Sequence, residues 1–83
     1  MLKSVEKLIN AEAVKVGNHS RKDFGSVVEY YYHQTAIIIV DSVQHTVIVN
    51  DGGWGTSSTT RAINSYLEYY KPMGYEIIDN RHR

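Results

Sequence analysis

"VVEYYYHQTAIIIVDSVQHTVIVND", residues 27 to 51, decides the fold. The run is rich in β-branched and aromatic residues and divides into three pieces, "VVEYYYHQ", "TAIIIVD" and "HTVIVND", each short enough for one strand. "HQT" links the first piece to the second, and "DSVQ" (41 to 44) is a hairpin loop before the third. Short connections of this kind join antiparallel neighbours. "AIIIV" is apolar on both faces, which predicts a central strand with one face under a helix, and places Ile37, Ile39 and Val47 in the core. Strand alternation sends Tyr30 and Tyr32 to one face and Tyr31 to the other. One of those faces packs under a helix. The other is half exposed, where Tyr31 offers an aromatic platform to a protein partner or to stacked bases.

Downstream, "SSTTRAINSYLEYYK" carries Ile63, Leu67 and Tyr70 at i, i+4, i+7 with Tyr66 flanking, the stripe of an amphipathic helix. Pro72 disfavours helical geometry at Lys71, so this helix ends near Tyr70. Gly74 then permits a sharp reversal into "YEIID", a last short strand. Upstream, "SVEKLINAEA" (4 to 13) spaces Val5, Leu8 and Ile9 for a short helix with Ser4 as N-cap. "AVKVG" (13 to 17) alternates as a short edge strand, and "NHSRKDFGS" (18 to 26) is polar, closes on glycines and reads as a loop. The expected architecture is α+β: a small antiparallel sheet of three to five strands, one main helix across one face, and a short N-terminal helix. With no repeat or linker, residues 1–83 read as a single domain.

Composition narrows the function. A chain of 83 residues buries only about 60% of its unfolded surface, and enzymes this small are uncommon. The absence of cysteine excludes disulfides and thiolate metal sites. No N-terminal apolar run suits a signal peptide or a membrane span, so the expected setting is the cytoplasm, away from membranes. Nine Lys plus Arg balance nine Asp plus Glu, which argues against recruitment to nucleic acid by bulk charge. A net charge of zero also does little to oppose self-association, so a homodimer is among the expected assemblies.

The most unusual segment is "NDGGWGTSSTTRAIN", residues 50 to 64. It has a structural reading. Asn, Asp and Gly leave a strand at little steric cost, one hydroxyl among Thr56, Ser57 and Ser58 caps the helix, and Trp54 folds back to seal the core. The same atoms have a functional reading, since a helix N-terminus attracts an anion. Hydroxyls from Thr56 to Thr60 would add donors, and Arg61 a bidentate contact. The spacing is not that of a P-loop, whose lysine is missing.

A strand with a Tyr/His-Thr edge, followed by GGW-x-T-x-x-T-T and a helix bearing R-x-x-N, resembles a group of small proteins encoded by bacteriophages and other mobile elements. The matching residues are His33, Thr35, Gly52, Gly53, Trp54, Thr56, Thr59, Thr60, Arg61 and Asn64, within residues 28 to 70. The GGW-x-T-x-x-T-T segment is the most specific part. The chain departs from the group at its end, which closes in "IIDNRHR". The resemblance implies a genomic setting more than a chemistry. It suggests a small phage-type accessory protein that inhibits a host defence factor by binding it, as anti-CRISPR proteins do.

The four histidines, at 19, 33, 45 and 82, lack metal-ligand spacing, although His33 and His45 could face each other across a hairpin. No nucleophile elbow is present. The expectation is therefore a non-enzymatic protein with no metal or cofactor. Its binding residues would be Tyr31, His33, Trp54, Thr56, Thr59, Arg61 and Asn64, and its partner a host protein or defence complex. Nucleic-acid or nucleotide binding through the GGW loop and helix N-terminus is the alternative, and a self-associating module with an exposed sheet edge is a third.

Overall fold

Residues 27–51 form the middle of a sheet that is larger than the sequence suggested. The computed structural model describes residues 2–53 and 55–81. In chain order its elements are α1 (Lys3–Ile9), β1 (Lys15–Val16), β2 (His19–Asp23), β3 (Val27–Tyr32), β4 (Thr35–Asp41), β5 (Thr46–Val49), α2 (Ser57–Tyr70) and β6 (Glu76–Asp79), with a 3₁₀ turn over Lys71–Met73. The six strands lie side by side in sequence order. Neighbours from β1 to β5 are antiparallel, while β5 and β6 are parallel.

This corrects the expected antiparallel sheet of three to five strands in two places. First, "HSRKD" is strand β2 and not part of a loop. It escapes notice because its alternation is not apolar against polar. His19 and Arg21 are paired with Tyr32 and Tyr30 and so share their face. There the His19 ring lies 4.9 Å from that of Tyr32, and Arg21 Nη1 donates to the Leu8 carbonyl at 3.2 Å. Long side chains with apolar bodies do the work of a buried face while keeping polar tips. Second, α2 carries the chain back along the sheet before β6 begins, so β6 runs in the same direction as β5. A crossover of that length is what a parallel neighbour requires.

The isoleucine run also resolves differently from expectation. Tyr30 pairs with Ile38 but Tyr31 pairs with Ala36, leaving Ile37 as the extra residue of a β-bulge. The bulge turns Ile37 and Ile38 to the same face, and both are fully buried. Ile39 then points to the opposite face and is only half-buried, contrary to its expected place in the core.

Both helices cover the face that carries Tyr30, Ile38, Val40, Val47 and Val49, and with Val5, Leu8, Ala62, Ile63, Tyr66 and Tyr70 these residues form the core. The buried stripe of α2 centres on Ile63, Tyr66 and Tyr70, and Leu67, expected at its centre, is half-buried at its margin. The shift has a cause: Tyr30 rises from the sheet to pack its ring 4.5 Å from Tyr66 and to share a 2.7 Å hydroxyl hydrogen bond with Tyr70. Helix α1 is shorter than expected, ending before the left-handed Ala11 (φ 58). Its N-cap is Leu2, not Ser4, and the Leu2 amide donates to Ser65 Oγ of α2 at 3.2 Å. After the 3₁₀ turn, Gly74 adopts φ 87, a left-handed conformation that reverses the chain into β6. No helix among the described residues is long and apolar enough to cross a membrane.

Candidate functional site

Three chain reversals converge at one end of the sheet: the β1–β2 turn, the β3–β4 turn, and the link from β5 into α2. They enclose an open cleft of about 880 Å³. The first two turns are tied together by the His33 amide, which donates to the Asn18 carbonyl at 2.7 Å. His33 holds φ 57, an uncommon conformation for a residue with a side chain, and its ring meets Tyr32 edge-on at 4.4 Å. Beside them, His19 titrates below the usual histidine range, chiefly because burial disfavours its charged form and secondarily because His33 is near. Its Nδ1 is buried with no hydrogen-bond partner among the described residues.

The third wall is built from the glycine- and hydroxyl-rich segment. Asn50 and Asp51 each bend the chain by accepting an amide two residues on, from Gly52 at 3.1 Å and Gly53 at 2.8 Å. Thr56 is the N-cap of α2: its Oγ1 accepts from the Thr59 amide at 3.2 Å and lies 2.9 Å from Thr59 Oγ1. Two of the surplus hydroxyls are thus engaged with each other. Asp51 is buried, lines the same cleft as Thr56 and Thr59, and its Oδ2 would lie 3.5 Å from a Cβ at Gly55. A carboxylate therefore already stands near the positive end of the α2 dipole. Arg81, bound through Nε and Nη2 to Asp79, has its pKa raised by that hydrogen bond first, with Asp51 adding attraction.

Of the residues proposed from sequence, His33, Thr56 and Thr59 line this cleft, as does the resembling Thr35. Tyr31 does not: it points to the helix-free face, where its hydroxyl donates to Glu29 Oε1 at 2.7 Å and Lys22 Nζ sits 4.9 Å from its ring centroid. That bond to Glu29 raises the Tyr31 pKa. Arg61 and Asn64 are exposed on the outer side of α2 and do not line the cleft. Arg61 falls in the second turn of α2. Trp54, including its expected place over the core, lies outside the described residues. His33 and His45 do not face each other, since they occupy turns at opposite ends of β4; His45 instead stacks on Tyr75 at 3.9 Å. The described residues contain no cluster of three or more potential metal ligands.

Sequence reasoning missed Lys15, Asn18, Gln34 and Asp51 as lining residues. Asp51 carried a signal, an Asp directly after an apolar strand and before two glycines, but that pattern says turn before it says site. No family model, curated protein or solved structure matches the chain.

Proposed function

We propose that this protein acts by binding, and that the cleft between the three chain reversals receives an exposed polar segment of a partner protein. The observation that carries the reading is the mixed lining. Tyr32 contributes apolar surface, while ammonium (Lys15), amide, imidazole, hydroxyl and carboxylate groups surround it. Such a surface suits a peptide segment, which presents donors and acceptors alternately and little net charge. In the setting implied by the resemblance to phage-encoded proteins, the partner is a host defence factor held in an inactive complex.

A nucleotide suits the cleft less well. Its phosphate would approach the α2 N-terminus beside Asp51, and the capping hydroxyls of Thr56 and Thr59 are already paired. The test is affinity capture from a host lysate with the intact chain and with His33→Gly. Glycine relieves the positive φ, so the fold should survive with an equal or higher melting temperature. The expected result is a protein captured by the intact chain, with or without nuclease, and lost with His33→Gly. Capture abolished by nuclease, or unaffected by His33→Gly, would overturn this reading.

A further inference from the structure

We propose that the β1–β2 wall of the cleft is a gate opened by acid, with His19 as its latch. The gate regulates the binding site inferred above and rests on that reading. His19 is half-buried on β2, paired with Val16 of β1 on one side and Tyr32 of β3 on the other. Two imidazoles touch the Tyr32 ring, His19 at 4.9 Å and His33 edge-on at 4.4 Å. Tyr32 and His33 line the cleft, as do Lys15, Gly17, Asn18 and Ser20 of the β1–β2 hairpin. The His19 ring thus fastens one wall of the cleft to the next.

That latch holds while His19 is neutral. Its Nδ1 is buried with no hydrogen-bond partner among the described residues. A neutral imidazole leaves Nδ1 bare by carrying its proton on Nε2, whereas an imidazolium donates from both nitrogens. Protonation therefore creates a buried, charged donor with nothing to accept it. No neighbour relieves that charge. Val16 is apolar and Tyr32 a phenol, while Lys15 pairs with Ser20 and is exposed. Arg21, two residues along the same face, is a cation already engaged with Asp23 and the Leu8 carbonyl. The charged residues of α1, Lys3, Glu6 and Lys7, are exposed. His33 acts on His19 in the same sense as burial, the larger effect, and both lower its pKa.

Relief comes from swinging out to water, and the hairpin permits it. β1 is an edge strand of two residues held by two pairings, the kind of element that opens at small cost. Its turn passes through Gly17 at φ 61, with no atom within 4 Å of where a Cβ would stand. Opening breaks the 2.7 Å bond from the His33 amide to the Asn18 carbonyl. Swung out, His19 regains its ordinary pKa of 6.5; latched, it titrates lower. The gate is therefore closed above pH 6.5 and opens as the pH falls from there to the latched value. Each unit between the two values multiplies the open population about tenfold.

Nuclear magnetic resonance of the intact chain tests this without a partner. The His19 ring should titrate below 6.5. Across that window the His33 amide should lose hydrogen-exchange protection about tenfold per pH unit, while the Val47 and Val49 amides keep theirs. His19→Phe leaves a ring against Tyr32 that takes no proton, so the loss should vanish; His19→Gln serves if that variant does not fold. A midpoint at or above 6.5, a His33 amide indifferent to pH, or a loss that persists in the variant overturns the proposal. Equal loss at Val47 and Val49 overturns it too, since the whole chain then unfolds. Capture of a partner should weaken over the same window and stay level in His19→Phe. Capture indifferent to pH overturns the gate and leaves the binding reading standing, whereas capture insensitive to His33→Gly overturns that reading and leaves the exchange result untouched.

Discussion

Removing one hydroxyl from Tyr66 and removing one from Tyr70 should change stability in opposite directions. Both residues are on α2, both are buried, and both pack against Tyr30, at ring separations of 4.5 Å and 6.2 Å. Their hydroxyls differ. That of Tyr70 shares a 2.7 Å hydrogen bond with Tyr30, in which either oxygen can donate, whereas that of Tyr66 has no partner among the described residues. Tyr70→Phe deletes the bond and leaves the Tyr30 hydroxyl buried and unmatched, a loss of about 1–3 kcal/mol. Tyr66→Phe deletes a group whose burial is itself unfavourable by about 1–3 kcal/mol. Part of that gain is offset by lost contacts around one missing atom, leaving a net stabilisation of about 1 kcal/mol. Tyr30→Phe with Tyr70→Phe removes both partners together and should recover most of the Tyr70→Phe loss. Urea unfolding measures all of this as shifts in midpoint at constant slope. In a domain with about 5 kcal/mol of stability the two signs are easily separated. Equal destabilisation by Tyr66→Phe and Tyr70→Phe, or a double variant that loses the sum of its parts, would refute the reasoning.

The other expectations are these. Thr56→Ala removes the acceptor for the Thr59 amide and should cost about 1 kcal/mol, read as a melting temperature lower by roughly 4–8 °C. Burial raises the pKa of Tyr30, Tyr66 and Tyr70 above the ordinary 10.0, so the unfolded chain releases those protons first. Their contribution is fully present below pH 10 and is lost as pH rises beyond it, and a spectroscopic tyrosinate titration should show three groups ionising only on unfolding. His19 has the opposite sense: its folded pKa lies below 6.5, so the unfolded state binds the proton more readily. Stability should fall as pH drops from 6.5 through the folded value, and His19→Gln should flatten that part of the profile in pH-dependent melts.

How far the fold was legible depended on whether one physical signal governed each stretch. Val27–Val49 and the helix 57–70 were legible because burial dominates there: β-branched residues in short runs, and an apolar stripe at helical spacing ended by Pro72. β2 was not, because its buried face is made of His19 and Arg21, whose apolar bodies count as polar in any sequence pattern. Ile39 was misplaced for a different reason. A bulge adds one residue to a strand and inverts the parity of everything beyond it, and in "AIIIV" every position is apolar, so the sequence carries no mark of where the inversion falls.

The cleft was harder to read than the fold because its walls are turns. Asn18, His33, Gln34 and Asp51 come from three separate parts of the chain, and only the register of β1 to β5 brings them to one end of the sheet. Thr56 and Thr59 were singled out from the glycine- and hydroxyl-rich segment 50 to 64, and His33 through the resemblance, yet most of that segment's richness proves to be local bonding. Asn50, Asp51 and Thr56 each spend an oxygen on a nearby amide. The residues expected to complete an anion site behave accordingly. Arg61 and Asn64 stand outside the cleft, and the carboxylate of Asp51 lies within it. A helix N-terminus recruits a negative charge from solvent only when the chain has not supplied one, and here α2 has no acidic residue in its first turn but has Asp51 in the wall beside it. A phosphate approaching the N-terminus of α2 would therefore meet the carboxylate of Asp51 in the same wall, which offsets the attraction of the helix dipole.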